Sequence, residues 1–278
     1  MRTIEKRRDE LIKWENEYFG QETADVKKMY HLYVQRLFDK VGDARKQKWL
    51  KKIDDCLFHL QAWLQHSQSN EDTRRRVIQY ARTFDPDIDA VSDLRSLPLE
   101  QIDYLAEQLM AKQRLLAFGQ GGLSGMGGAF LLAVDLPLIA FIQLQSLQQL
   151  ALAYGYDSRR PVEMMYMLKL FHVATMPRSF QANEWDRLFA EINDQDDEVF
   201  YEGEESIFQA EWLDQLLKQL AKSFVITMLR KKMIQGVPLL GMAVGAGMNY
   251  RFSAQVIEIG QHFYQKRRLL EQMSNENF

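Results

Sequence analysis

The sequence predicts an all-α protein: a multi-helix bundle of about nine to eleven helices, with two central glycine-rich helices packed closely and amphipathic helices wrapped around them. Three observations predict it. Apolar residues recur at steps of three, four and seven through most of the chain, which is the spacing of one helical face. Strict apolar/polar alternation, the mark of a half-buried strand, is essentially absent. The 15 glycines of the 278 residues concentrate in two clusters, 119–128 and 236–247, and each cluster lies in a long uncharged run.

The elements follow in order. Ile4, Leu11, Trp14 and Tyr18 share one face of a first helix that Gly20 can end. Thr23 suits the N-cap of a second, carrying Val26, Met29, Tyr30, Tyr33 and Leu37. A third presents Trp49, Ile53, Cys56, Leu57, Leu60, Trp63 and Leu64, and 67–70 reads as a polar loop. Val77, Ile78, Ala81 and Phe84 suggest a short helix stopped by Asp85-Pro86. Leu97-Pro98-Leu99 opens the next, with Ile102, Leu105, Leu109 and Met110 inward. Residues 115–156 then hold a single charge, Asp135, and Gly155 reads as a helix terminator. Pro161 starts a helix over 162–175, and Pro177 separates it from one bearing Phe180, Trp185, Leu188 and Phe189. Eight of the fifteen residues 191–205 are acidic without any period, as in a solvated, mobile loop. A long helix from Ile207 past Met228 ends in Arg230, Lys231 and Lys232. The last helix follows the second glycine cluster, through Val256, Ile259 and Phe263 to a basic end at Lys266-Arg267-Arg268.

In the first cluster Gly121, Gly125, Ala129 and Ala133 fall four apart, and in the second Gly241 and Gly245 do, with Asn249 and Ser253 continuing the row. Each helical glycine costs about 1 kcal/mol relative to alanine. Close backbone approach between two helices is the natural compensation. Asp135 and Asn249 lie on or beside these rows and are the candidate buried polar groups. A carboxylate so placed must find a partner or protonate.

Composition and motifs exclude several classes of function. A net charge of −3 with pI near 6.0 argues against nucleic-acid binding. The single cysteine, Cys56, rules out an internal disulfide and fits a cytoplasmic setting, as does a charged start with no signal peptide. The first glycine cluster lacks the preceding strand and the Gly-Lys-Ser/Thr of a phosphate cradle, and Met126 occupies the last glycine of a nucleophile elbow around Ser124. His59 and His66 would stand about 10 Å apart along a helix, too far for one ion. The sequence thus yields no catalytic residues, no metal site and no cofactor.

Runs 115–134 and 136–156 are long enough for a bilayer of about 30 Å, but Gln120, Gln143, Gln145, Gln148, Gln149 and Asp135 make poor lipid-facing residues. Their flanks are basic: Lys112 and Arg114 before, Arg159 and Arg160 after, with Arg230, Lys231, Lys232 and Arg251 around the second cluster. Each such charge contributes about 1 kcal/mol beside anionic headgroups. Two readings stay open, a helix pair buried in a bundle and a hairpin dipping into one leaflet.

Asp135-Leu136-Pro137, the following Gln/Leu helix and Tyr154-Gly155-Tyr156-Asp157 resemble the EcsC family of bacterial proteins. So do Val237-Pro238-Leu239-Leu240-Gly241, Gly245, Asn249 and a last helix with Phe263 and a basic end. The resemblance covers 97–268 and implies a single domain over 1–278. Residues 1–96 would be N-terminal amphipathic helices, 97–268 the glycine-motif core, and 191–205 a variable acidic insertion. It also implies a setting beside an ABC transporter concerned with protein secretion and its regulation, and it brings no established activity or catalytic residues. The expectation is a non-enzymatic cytoplasmic accessory protein, peripheral at the inner face of the cell membrane, whose partners are ABC transporter components or an anionic membrane surface. The alternatives are an enzyme using a buried Asp135 and a carrier of lipid or another apolar ligand.

Overall fold

The computed structural model describes residues 2–20, 71–126, 128–176, 178–194 and 238–276. Among them the protein is all α: α1 (Arg2–Phe19), α2 (Glu71–Ala81), a 3-10 turn (Val91–Ser96), α3 (Leu99–Met126), α4 (Gly128–Ala153), α5 (Pro161–Thr175), α6 (Arg178–Asp194) and α7 (Pro238–Glu276). The expected second and third helices, the helix over 207–232 with its basic end, and 195–205 of the acidic stretch lie outside the described residues.

Helices α3, α4 and α7 form the centre, and the α3–α7 interface is the most extensive in the fold. These two run antiparallel. Phe118 meets the ring of Tyr250 at 6.4 Å at one end, and Gln265 Nε2 donates to Asp103 Oδ1 at 2.9 Å at the other. α4 returns alongside α3, so that Tyr154 beyond its last turn donates through its hydroxyl to the same Asp103 oxygen at 2.6 Å. On α3 the expected inward face of Ile102, Leu105, Leu109 and Met110 is buried. From Ile139 onward α4 is enclosed on nearly every side, with α2 and α5 completing the cover. Three of the five glutamines that argued against lipid exposure are interior: Gln143, Gln148 and Gln149 are buried, and Gln148 Nε2 donates to Ser158 Oγ at 3.4 Å.

One close helix approach involves a glycine outside both predicted rows. A Cβ at Gly260 of α7 would stand 2.6 Å from Leu147 Cδ2 and 3.0 Å from Leu150 Cδ1 of α4. On the opposite side of α7, α1 and α6 dock through aromatic rings. Trp14 lies flat on His262 at 3.8 Å, and wholly buried Trp185 contacts Trp14, Phe189 and Phe263. Glu15 accepts from Trp185 Nε1 at 2.7 Å and from Lys266 Nζ at 2.6 Å.

Two expectations need correction. Residues 191–194 are not the start of an acidic loop: they end α6, where Glu191 pairs with Lys169 and with Arg187 at 3.4 Å. Neither is Lys266-Arg267-Arg268 a basic helix end. α7 is one helix of 39 residues that runs on to Glu276; Lys266 and Arg267 turn onto Glu15 of α1 and Glu163 of α5, and Arg268 onto the Arg95 carbonyl and Glu271 of α7 itself.

Candidate functional site

The Tyr154-Gly155-Tyr156-Asp157 segment is where most of the buried charge gathers. α4 ends because Gly155 takes φ +85°, a left-handed conformation open to glycine. Tyr156 N then donates to Ala151 O at 2.9 Å and Gly155 N to Leu152 O at 3.0 Å, closing the helix with a 6→1 and 5→2 pair. The turn directs both tyrosines into the interior. Tyr154 holds Asp103, while Tyr156 donates to Glu271 Oε1 at 3.0 Å beneath the guanidinium groups of Arg267 (4.0 Å) and Arg95 (4.5 Å). Arg267 Nη1 donates to Glu163 Oε1 at 2.6 Å, and Glu163 is wholly buried. Arg268 Nη2 donates to the carbonyl of Arg95, whose own Nε reaches Gly155 O.

Burial pushes Tyr154, Tyr156 and Tyr264 well above the usual phenol range. It also pushes Glu163 upward against the pull of Arg267. Asp157 goes the other way. Partial burial would raise it, but the side chain and backbone N–H of Arg159, together with Arg74 at 2.8 Å, bring it down to about 2 from an ordinary 3.8. A folded pKa below the unfolded one gives stability that is present above pH 3.8 and is lost as pH falls toward 2. Asp157→Asn should therefore lower stability at neutral pH and flatten the acid limb between pH 4 and 2. Urea unfolding across that range checks it.

Beside this network a pocket of about 120 Å³ opens between α1, α3 and α7, lined by Arg7, Glu10, Leu11, Leu99, Asp103, His262, Gln265 and Leu269. Asp103 is held by Tyr154, Gln265 and, at 3.5 Å, Arg7. His262 points Nδ1 at the Glu258 carbonyl, 2.8 Å away, and burial keeps it below its ordinary 6.5. No serine, threonine or cysteine lines the pocket; its polar lining is Arg7, Glu10, Asp103, His262 and Gln265. Among the described residues no group of three His, Cys, Asp or Glu could hold a metal ion.

A model of the EcsC protein family matches residues 5–269. The chain belongs to that family. It is 27% identical over 266 residues to the uncharacterized protein YdbA of Bacillus subtilis (strain 168), covering 95% of this chain and 92% of YdbA. It is 28% identical over 180 residues to the Protein EcsC of the same organism, covering 64% of this chain and 69% of that protein. No solved structure matches the chain.

In this EcsC-family chain the sequence-predicted residues fall mostly at the opposite end from the tyrosine turn. Gly121 and Gly125 occupy the last two turns of α3, Ala129 and Ala133 the first two of α4, and Gly241 and Gly245 the first two of α7. The first row is therefore shared between two helices rather than carried by one, since α3 ends at Met126 and α4 begins at Gly128. Asp135 lies in the second turn of α4. Asn249 is buried and donates from Nδ2 to Gln120 Oε1 at 3.2 Å, where the two glycine-bearing helices α3 and α7 meet. Of the basic flanks, Lys112 Nζ lies 3.5 Å from the Tyr80 hydroxyl and Arg114 lies 3.6 Å from Glu107. Arg159 binds Asp157 and Glu71, and Arg160 precedes α5 as its N-cap residue. Arg230, Lys231 and Lys232 lie outside the described residues.

Sequence reasoning missed a ring of exposed apolar side chains: Leu115, Leu116 and Phe118 on α3, Leu138 and Phe141 on α4, Tyr250 on α7. Leu115 is 70% exposed. The signal was present on α3. Its outer face reads Gln101, Tyr104, Gln108 and Lys112, then changes after Arg114 to Leu115 and Phe118.

Proposed function

We propose that the protein is a non-enzymatic accessory protein that attaches at the cytoplasmic face of a membrane, by lipid contact or through a membrane complex such as an ABC transporter. The observation that carries this is the exposed apolar ring on α3, α4 and α7, with Lys112, Arg114 and exposed Arg251 next to it. Exposed apolar side chains gathered at one end of a bundle in this way mark an interaction site. The polar end supports the same reading, because its charges are spent on one another. Arg159 narrows the electrostatic part, since Asp157 and Glu71 already match its charge. No helix among the described residues is long and apolar enough to cross a membrane.

Cell fractionation tests the reading. The chain is expected in the membrane pool, with washes in high salt and in carbonate separating charge-held from apolar attachment. A chain found wholly in the supernatant, with no transporter component co-purifying, would overturn it.

A further inference from the structure

Resting on that membrane-attachment reading, we infer that the apolar end of the bundle enters a single leaflet as a three-helix wedge, with the exposed ring at the interface. The ring lies at one height. Leu115–Phe118 stand nine to twelve residues before position 127, Leu138–Phe141 stand eleven to fourteen after it, and Phe118 faces Tyr250. Beyond the ring lie three helix ends, 119–126, 128–137 and 238–249, and these thirty residues carry one charge, Asp135. At 1.5 Å per residue they extend about 12, 15 and 18 Å. Half of a hydrocarbon core of roughly 30 Å is about 15 Å. The α3 and α4 ends thus match one leaflet, and all three ends stop well short of the roughly 30 Å of the full core.

The chemistry of the ring agrees with this depth. Phe118, Phe141 and Tyr250 are aromatic rings of the kind that gather at the headgroup boundary. Lys112 and Arg251 follow within about a turn on the side away from the wedge, where anionic headgroups would meet them. Asp135 sits one turn inside Leu138, close to the rim rather than at the tip. Gln120 and Asn249, also at the rim, bond to each other. Helix interiors bond their own backbone, while each helix end leaves up to four groups without an intrahelical partner, of which Pro238 at the start of α7 removes one N–H. A protein partner would cover one side. Exposure on all three helices at one height fits a slab.

The test uses the full chain with Cys56→Ser and single cysteines carrying a polarity-sensitive fluorophore. Gly247→Cys lies inside the wedge and Gly119→Cys at its rim, and an added Cβ meets nothing within 4 Å at either. Asn183→Cys, exposed on α6, is the aqueous reference. With vesicles of phosphatidylcholine and phosphatidylglycerol, the probe at 247 should shift to the blue, become shielded from iodide and be quenched by acyl-chain nitroxides. The probe at 119 should respond less and that at 183 not at all. Phe118→Asp, at a half-exposed position that leaves the core intact, should weaken vesicle binding by about tenfold or more. A chain that floats with vesicles while 247 stays open to iodide overturns the wedge and leaves membrane attachment standing. A chain that fails to float yet fractionates with cell membranes does the same, and assigns the ring to a protein complex. Shielding of 247 without lipid, in step with dimer formation, overturns the wedge in favour of a second copy of the chain.

Discussion

Replacing Arg267 with methionine is expected to lower the unfolding free energy by about 3–5 kcal/mol at neutral pH, the range for removing one partner of a buried ion pair. Glu163 has no solvent exposure, and its close cationic contact is Arg267 Nη1 at 2.6 Å. Arg267 also covers the rings of Tyr156 and Tyr166 and lies 3.7 Å from Glu271, so the methionine keeps part of the packing and loses the charge. Without it, burial acts on Glu163 unopposed by its nearest cation, and the carboxyl pKa climbs further above its ordinary 4.5. The sign of the pH dependence follows. A folded pKa raised above the unfolded value means that the folded state holds the extra proton, so the penalty is absent below about pH 4.5 and grows as pH rises through the folded pKa. The variant should therefore be least impaired in mild acid and most impaired above neutrality. Pairing Arg267→Met with Glu163→Gln removes both charges and should recover much of the loss, a coupling that a double-mutant cycle reads directly. Urea unfolding at pH 5 and pH 8 would refute the account if Arg267→Met stayed within 1 kcal/mol of the parent at both.

That pair also shows where the sequence was legible and where it was not. Local periodicity placed Ile102, Leu105, Leu109 and Met110 correctly, because a helix three to four residues per turn fixes its own face wherever the rest of the chain goes. Gly155 was legible as a terminator for the same reason: a positive φ is a demand of the local backbone. Lys266, Arg267 and Arg268 were not legible. Three adjacent cations look like a helix end in one dimension, and only the fold brings Glu15, Glu163 and the Arg95 carbonyl to them. Gly260 was overlooked because its partner, Leu147, lies 113 positions away. The break between Gly121-Gly125 and Ala129-Ala133 was hidden among neighbouring glycines, any of which could have ended the helix.

The uncharged run 115–156 posed a choice between core and membrane, and those of its side chains that the structure describes are of two kinds. From Ile139 to Tyr156, apart from Phe141 and half-buried Gln145, it is enclosed by α2, α3, α5 and α7. At Leu115, Leu116, Phe118, Leu138 and Phe141 the same run keeps its apolar side chains exposed. A hydropathy profile cannot separate the two kinds, since buried and exposed apolar stretches score alike. What separates them is the neighbour on the other side. The tyrosine turn and the apolar ring then have distinct tasks: the turn locks α3, α4 and α7 to one another at one end, so that their other ends stay aligned.

Gly155→Ala should break that lock at a cost of about 2–4 kcal/mol, combining the strain of a left-handed non-glycine residue with overpacking. Both terms are present. At φ +85° the alanine is strained whatever space it has, and its Cβ would stand 2.6 Å from Arg95 Cγ and 3.3 Å from Arg95 N and Val91 O. Arg95 cannot easily retreat, because its Nε holds Gly155 O and its carbonyl holds Arg268 Nη2. Gly155→Asn separates the two terms. Asparagine tolerates the left-handed region better than alanine but brings the same Cβ. If Asn recovers a substantial part of the loss, dihedral strain dominates; if Asn and Ala are equally destabilised, contact with Arg95 does. Near-ultraviolet circular dichroism should change in both variants, because Tyr154 and Tyr156 are placed by this turn and report on Asp103 and Glu271. An alanine variant with parental stability and an unchanged tyrosine spectrum would show that the turn does not hold the helix ends together.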